Sequence, residues 1–470
     1  MKLDLGIING RVYVNGEFTN VDIGIKDEKF TVLCERGLLP EADKVIDAKG
    51  KYVIPGGIDT HVHFRDPGHS ERGTFYTESQ AAVAGGTTTI LEHPISVPPQ
   101  YNKEILDNRK KVAEERQGVV DYAFFGAAGG QFPEEITEIA KEGIVAYKTF
   151  LHEAPEGRDE EFVGLTMAND YEILVGMREV AKTGLPLGSH AENNDIIQGL
   201  IKQYRSEGKV GPEYHCLSRP PISEYSTVQK MILFAKETGC VLDLVHISTP
   251  EAMQMAKEAK AQGQKIFLET CPHYLFLNEE ELVKHGPYAK CNPPLRSKEI
   301  VEKLWDYVID GTVDFIGSDH GPFLVEEKER GYEDIFVAPA GLIGIDVRLP
   351  LMLNEVSQGN RGLTLERVVQ LCCENPAKDF NIFPQKGTIQ PGSDADLVIF
   401  NLDETTIVDK ENNYSAAREI SRVYEGWELK CKLNYTIIRG KVVMKDGIVD
   451  PIADKTKGWG KLVLRNEKSS

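Results

Sequence analysis

Apolar and polar positions alternate along the chain in three zones. Up to about Tyr52, short apolar runs are separated by turn residues such as Asn9-Gly10, which is typical of short β-strands. From 53 to 387, short apolar runs alternate with long amphipathic stretches such as 223–238 and 299–309. After Gly387 the short strand-like runs return. The central zone therefore predicts repeated strand–helix units, and the two ends predict strands alone.

This alternation predicts an α/β fold with two parts. Strands that are each followed by a long helix have the rhythm of a (β/α)₈ TIM barrel, which we predict over residues 53–387. The strand-rich ends flank the barrel, and we expect them to pair into one small β-sandwich domain built from residues 1–52 and 388–470.

The most informative motif is the pair His61 and His63, which closes the apolar run that begins at Val53. Residues i and i+2 of a strand point to the same side, so both imidazoles leave the strand end together. Neutral imidazole is the commonest protein ligand for zinc-like metals. A His-x-His pair can also simply pack or cap, so the rest of the chain has to decide between the two interpretations.

Four further apolar runs each carry a residue type that binds metals. They contain or end in Lys148, His190, His246 and Asp319. In a parallel barrel, catalytic groups come from the C-terminal ends of several different strands. The six side chains are therefore expected to converge on one mouth of the barrel, which favours a metal centre.

Composition is typical of a large soluble enzyme. The chain has 470 residues, of which 41% are hydrophobic, and its formal net charge is −19. That charge argues against nucleic-acid binding, which needs a basic face. The 8 cysteines include no CxxC pair, no window approaches the length of consecutive apolar residues that spans a membrane, and the start, from Met1 to Gly6, lacks a signal-peptide pattern. We therefore expect a cytoplasmic protein without a membrane or nucleic-acid partner.

The motifs resemble the metal-dependent amidohydrolase superfamily, in its cyclic amidase branch of hydantoinases, dihydropyrimidinases, allantoinases and dihydroorotases. The resemblance runs from the N-terminal strands through Pro55 to His63 and on to the stretch from Gly387 to Leu397. It therefore covers essentially the whole chain. It also implies the same barrel and sandwich, and it implies a homotetramer or homodimer.

The resemblance implies two divalent metal ions, most often Zn²⁺, with Mn²⁺ or Co²⁺ as alternatives. By resemblance, one ion is held by His61, His63, Lys148 and Asp319, and the other by Lys148, His190 and His246. Lys148 is expected to carry CO₂ as a carbamate that joins the two ions. Its surroundings agree with this, because a lysine in an apolar strand tends to lose its proton, and a neutral amine can form a carbamate.

The implied reaction is hydrolysis of the cyclic amide C–N bond of a cyclic ureide, which yields an N-carbamoyl acid. A metal-bridging hydroxide attacks the carbonyl, and Asp319 shuttles the proton to the leaving nitrogen. Asp319 could also serve only as a metal ligand. In that case His320 could share the acid role or orient the substrate.

Residues near the motifs bear on the substrate. Arg65 matches the dihydroorotase arginine that binds the substrate carboxylate, but Ile95 and Phe323 stand where that family has further polar contacts. Arg65 could therefore bind a carboxylate or a ureido oxygen, or could pair with Asp66 or Glu71. Dihydroorotase and dihydropyrimidinase are kept as alternatives.

The stretch from His93 to Pro99 resembles L-type hydantoinases and allantoinases, which favours a hydantoin or allantoin substrate. D-type hydantoinases and dihydropyrimidinases carry a tyrosine where this chain has Glu153. By resemblance, the backbone at Asn292, Ala340 and Gly341 binds the ureide ring. A non-enzymatic scaffold that has lost the metal ligands is the other class, and the filled ligand positions argue against it.

Overall fold

The computed structural model describes residues 2–116, 118–155, 157–450 and 458–466. The N-terminal zone forms short strands joined by tight turns, as its sequence pattern predicts. These strands are β1 (Leu3–Ile8), β2 (Arg11–Val14), β3 (Glu17–Thr19), β4 (Val21–Lys26), β5 (Lys29–Glu35), β6 (Ala42–Asp47) and β7 (Tyr52–Pro55). Within the described residues, no helix is both long enough and apolar enough to cross a membrane.

The central zone contributes the parallel strands of the barrel. They are β8 (Gly57–Val62), β9 (Thr87–Glu92), β10 (Asp121–Ala127), β11 (Ala146–Phe150), β12 (Pro186–His190), β13 (Val241–Leu244), β14 (Ile266–Thr270) and β15 (Phe315–Ile316). In the described chain they form an 8-stranded sheet in sequence order. A parallel bridge between Val62 and His320 joins the first strand to the segment after the last, which closes the barrel.

Helices follow the barrel strands and pack outside them. Several begin at side chains that accept a hydrogen bond from the first turn, among them Thr74, Asn102 and Ser297. The helices are α1 (Phe75–Ala84), α2 (Lys103–Glu115), α3 (Pro133–Ile139), α4 (Asp170–Thr183), α5 (Asn194–Ser206), α6 (Glu213–Leu217), α7 (Pro221–Thr238), α8 (Pro250–Ala261), α9 (Pro272–Phe276), α10 (Glu279–His285), α11 (Lys298–Ile309), α12 (Val325–Glu329), α13 (Arg348–Gln358), α14 (Leu365–Val369) and α15 (Asn375–Asp379). Helices α7 and α11 coincide with the predicted amphipathic stretches.

The C-terminal zone returns to strands that pair with the N-terminal ones. They are β16 (Leu397–Asn401), β17 (Thr406–Ile407), β18 (Glu428–Leu429), β19 (Lys432–Ile438), β20 (Lys441–Lys445) and β21 (Ile448–Val449). Strand β16 pairs with β7, so the described residues form one 7-stranded sheet from both ends of the chain. A second, 4-stranded sheet holds β1, β4, β5 and β6. The strands of the two ends thus share a sheet, as expected. The predicted domain also includes residues 451–457 and 467–470, which lie outside the described residues.

The apolar run that begins at Val53 is divided between the two parts of the fold. Strand β7 pairs with β2 and β16 in the terminal sheet, whereas β8 pairs with β9 in the barrel. The change occurs at Gly56, where a Cβ atom would lie 2.1 Å from the hydroxyl of Thr88. Only glycine allows this close approach, so the residue lets the chain pass from one sheet to the other.

The barrel interior is filled at its lower end and open at the other. The ring of Phe380 lies 5.5 Å from that of Phe125, 6.2 Å from that of Phe267 and 5.3 Å from that of Phe315, measured between centroids. These contacts fill the lower end of the barrel. Polar side chains that point into the barrel above this layer can reach only the open mouth.

A buried ionic cluster joins the barrel to the C-terminal strands. The Lys386 ammonium contacts Asp121, at the start of β10, and lies 2.7 Å from Asp396 and 3.0 Å from Asp394. Asp121 also contacts Arg439. All five residues are at most 5% exposed. The cluster therefore depends on each charge being balanced, since an unpaired buried charge is costly.

We expect Lys386→Met to lower the free energy of unfolding by about 3–5 kcal/mol, because it leaves buried carboxylates without their cation. The measurement is the denaturant midpoint of the purified protein. Lys182→Met is the matched control, because it breaks only a surface pair with Glu179 and should change stability by less than about 1 kcal/mol. Equal midpoints for the two variants would contradict the assigned role of Lys386.

Candidate metal centre

A cavity of about 1250 Å³ opens at the C-terminal ends of the barrel strands. All of the predicted ligands lie on its wall, and they come from five different strand ends: His61, His63, Lys148, His190, His246 and Asp319. The residues that alternation and strand order predicted to converge are thus brought together, as the geometry of a parallel barrel requires.

One half of the site consists of His61, His63 and Asp319. The Nε2 atoms of His61 and His63 lie 3.4 Å and 3.3 Å from Oδ1 of Asp319. One ligand atom from each residue lies within 4.8 Å of the other two, which is close enough for all three to bind one metal ion. Burial raises the pKa of Asp319 to about 7.

The other half consists of Lys148, His190 and His246. Nδ1 of His190 and Nε2 of His246 face each other at 3.0 Å. The Lys148 side chain is completely buried, and its Nζ atom has no hydrogen-bond partner among the described residues. Burial lowers its pKa to about 8. A buried amine without a partner, beside two facing imidazoles, fits a site for a metal ion and for a carbamate.

Two buried carboxylates orient two of the ligand histidines. Neither carboxylate was predicted from the sequence. Glu269 lies 2.7 Å from Nδ1 of His61, and Glu192 lies 2.8 Å from Nε2 of His190. Each carboxylate accepts the N–H of one ring nitrogen and so leaves the other nitrogen unprotonated for a metal. Arg219 in turn binds Glu192 at 2.5 Å.

The sequence contains only a weak indication that these two carboxylates belong to the site. Glu269 is an acid inside the apolar run of β14, at a position that alternation directs into the barrel. Burial raises its pKa to about 7. Glu192 follows His190 by two residues; burial opposes its ionisation, but the charge of Arg219 and the contact with His190 lower its pKa.

Arg65, which was predicted to contact substrate, lies on the cavity wall. Its side chain is buried, its Nη1 atom lies 3.6 Å from Glu161, and its guanidinium carbon lies 4.5 Å from the ring centre of Phe323. Burial lowers its pKa to about 9. The predicted alternative pairing is wrong, because Asp66 instead binds Arg116 at 2.9 Å and Glu71 binds His69.

Of the other predicted substrate contacts, Asn292, Ala340 and Gly341 lie on the cavity wall. His320 does not. Its ring is fully buried and lies 2.8 Å from Glu78, while Gly344 donates a backbone hydrogen bond to its Nδ1. The chain turns at Asp319, whose φ of 50° places it in the left-handed region. His320 is thus directed behind the wall, and its predicted contact with substrate is wrong.

Comparison with known protein families identifies the family of this chain. The sequence pattern of the Amidohydrolase family matches residues 52–443. The chain therefore belongs to the amidohydrolase family, and the expected resemblance is confirmed.

The similar proteins are hydantoinases and allantoinases. The chain is 36% identical to an L-hydantoinase of Paenarthrobacter aurescens, over 98% of each chain. It is 33% identical to an allantoinase of Solibacter usitatus, over 96% of this chain and 94% of that one. The solved structure of an L-hydantoinase (dihydropyrimidinase) from Arthrobacter aurescens matches with a TM-score of 0.92 at 35% identity, over 98% of this chain and 100% of that one. The predicted barrel fold is confirmed by this likeness.

We expect Glu269→Gln to weaken divalent metal binding about 10- to 100-fold, because His61 loses the carboxylate that fixes its ring. Competition with a metal-sensitive chelating dye measures the affinity. Glu251→Gln, an exposed position in the first turn of α8, is the control and should bind metal as the unchanged protein does. Unchanged affinity in Glu269→Gln would show that the carboxylate does not support the site.

Proposed function

We propose that the protein is a metal-dependent cyclic amidohydrolase that opens a hydantoin- or allantoin-type cyclic ureide to an N-carbamoyl acid. The observation that carries the proposal is the convergence of four imidazoles, one carboxylate and one unpartnered lysine at the mouth of the barrel. The names of the relatives, L-hydantoinase and allantoinase, support the same reaction class.

The donor set suits two divalent ions such as Zn²⁺, Mn²⁺ or Co²⁺. His61, His63 and Asp319 would hold one ion, and His190 and His246 would hold the other. Lys148, as a carbamate, would offer an oxygen to each. When bound, such ions would polarise an amide carbonyl and lower the pKa of a bound water.

Asp319 is assigned the proton transfer. Amide nitrogen is a poor leaving group unless it is protonated as the C–N bond breaks. The Asp319 carboxyl lies beside His61 and His63 on the cavity wall, where it can take a proton from the attacking water and return it to the leaving nitrogen. The step needs a single carboxyl group within reach of both atoms.

The cavity wall favours a ureide with a neutral substituent. Ile95 packs with Phe150 and Phe162 on one side of the cavity, and Phe323 covers part of Arg65 on another. These apolar surfaces stand where a dihydroorotase would need polar partners for a carboxylate. These local apolar contacts instead suit a hydrophobic or ureido substituent.

A dihydroorotase remains the second candidate because of Arg65. Its Nε and Nη1 atoms are buried and have no hydrogen-bond partner among the described residues. A guanidinium in that state can still bind an anionic group. The exposed Glu153, at the position of the tyrosine of D-type hydantoinases, disfavours dihydropyrimidinase. A scaffold without metal is disfavoured by the complete ligand set.

The test is a side-by-side turnover panel of hydantoin, 5-benzylhydantoin, allantoin, dihydrouracil and dihydroorotate, with the metal-loaded protein. We expect a hydantoin or allantoin to have the highest kcat/KM, since Ile95 and Phe323 stand where a dihydroorotase has further polar partners for a carboxylate. Turnover of dihydroorotate that exceeds all others by a wide margin would contradict the proposal and would assign a carboxylate site to Arg65.

A further inference from the structure

Residues 336–341 form part of the cavity wall, in a segment that begins with one 3₁₀ turn at Ile335–Val337 and continues without regular secondary structure. It includes Ala340 and Gly341, whose backbone we assign to the ureide ring. Beyond this single turn, the segment 335–341 has no ladder of backbone hydrogen bonds to orient its peptide groups. Something else must therefore fix the direction of its carbonyls.

Two buried lysines supply that orientation. Nζ of Lys290 donates to the carbonyls of Ile335 at 2.7 Å, Phe336 at 3.3 Å and Ala338 at 2.5 Å. The two lysine side chains are 4% and 0% exposed. Nζ of Lys328 donates to the carbonyls of Pro339 at 3.1 Å and Gly341 at 2.6 Å. Five of the seven carbonyls in the segment thus point at a buried ammonium.

The same lysines tie this segment to the other backbone stretch assigned to the ring. The carbonyl of Lys290 accepts from the Gly341 N–H at 2.9 Å and from Nζ of Lys328 at 3.3 Å. Asn292 follows two residues later and also lies on the wall. The relative position of Asn292 and Ala340 is therefore set through Lys290 and Lys328.

The backbone N–H and carbonyl of Ala340, on the cavity wall, are available to a ligand. Among the described residues, neither the N–H nor the carbonyl of Ala340 has a hydrogen-bond partner. Its neighbours Pro339 and Gly341 both direct their carbonyls to Lys328. On the same cavity wall, the buried Oδ1 atom of Asn292 also has no hydrogen-bond partner among the described residues. A cyclic ureide presents N–H and C=O groups that match these unpaired groups.

Burying the amino groups of Lys290 and Lys328 costs free energy that apolar side chains at the same positions would not cost. Neither lysine forms a salt bridge with a described carboxylate. Burial lowers the pKa of both groups, that of Lys328 to about 7. A buried cation held only by carbonyls is expensive, so an apolar core at this place would be more stable if orientation did not matter.

We propose that Lys290 and Lys328 are positioning residues that present the Ala340 peptide and Asn292 to the substrate ring. The proposal rests on the proposed function, because the ring is the ligand. It predicts a change in binding of the ring rather than in the chemical step. Removing either ammonium frees its carbonyls to turn toward the cavity and displaces the Ala340 peptide.

The test compares Lys328→Met and Lys290→Met with the unchanged protein, using hydantoin and 1-methylhydantoin. The methyl group removes one ring N–H away from the scissile bond. We expect KM for hydantoin to rise about tenfold or more, which corresponds to one or two lost hydrogen bonds, while kcat changes by less than about threefold. The preference for hydantoin over 1-methylhydantoin should fall at least about fivefold, because the peptide that reads the N–H is displaced.

Lys260→Met is the matched control. Lys260 also donates to a carbonyl, that of Thr312, and binds Asp314, but it lies on α8 outside the cavity. It should lower stability without changing the preference. If a methionine variant at 290 or 328 does not fold, Lys328→Gln keeps N–H donors at that place and should show a smaller shift in the same direction.

An unchanged preference in variants that fold would overturn the positioning role, even if total activity falls. An equal loss of kcat/KM for both substrates would also overturn it. Such a loss leaves the preference unchanged, as expected for Lys260→Met, and would leave the two lysines a structural role only. Failure of the unchanged, metal-loaded protein to open any cyclic ureide would instead reject the proposed function, and this inference with it. The two failures are therefore distinguishable.

Discussion

The burial of Lys148 is the constraint on which the site depends. An amine without a hydrogen-bond partner inside a barrel is unfavourable unless its charge is removed or neutralised. Strand β11 places it at the open end, where four imidazoles and Asp319 surround the same cavity. The barrel below is closed by packed aromatic rings, so these donors have only one another and the cavity to face.

Further groups behind the donors limit their freedom. Glu269 and Glu192 each accept one ring N–H, and the ring of His93 stacks on that of His61 with centroids 3.8 Å apart. On the substrate side of the cavity, Lys290 and Lys328 limit the freedom of the backbone in the same way, by donating hydrogen bonds to its carbonyls. Rigid support of both halves is what a site needs to bring a ring amide to a fixed place.

Much of the centre could be predicted because strand geometry is local. His61 and His63 are two residues apart at one strand end, and each of the other ligands lies within an apolar run or ends one, so periodicity and barrel order suffice. The rest depends on contacts between distant residues. Glu161, the partner of Arg65, lies on a different loop, and the burial of His320 follows from the turn at Asp319 and the contact with Glu78. The division of the first strand at Gly56 depends on Thr88, which sequence spacing does not reveal.

The most direct test of the central claim is the metal content of the purified protein after loading with excess Zn²⁺ and removal of free ions, measured by elemental analysis. The account predicts two ions per chain, and it predicts fewer in Lys148→Ala, which loses the group shared by both halves of the site. A folded protein that retains no stoichiometric metal, or a Lys148→Ala variant that retains two ions, would contradict the account.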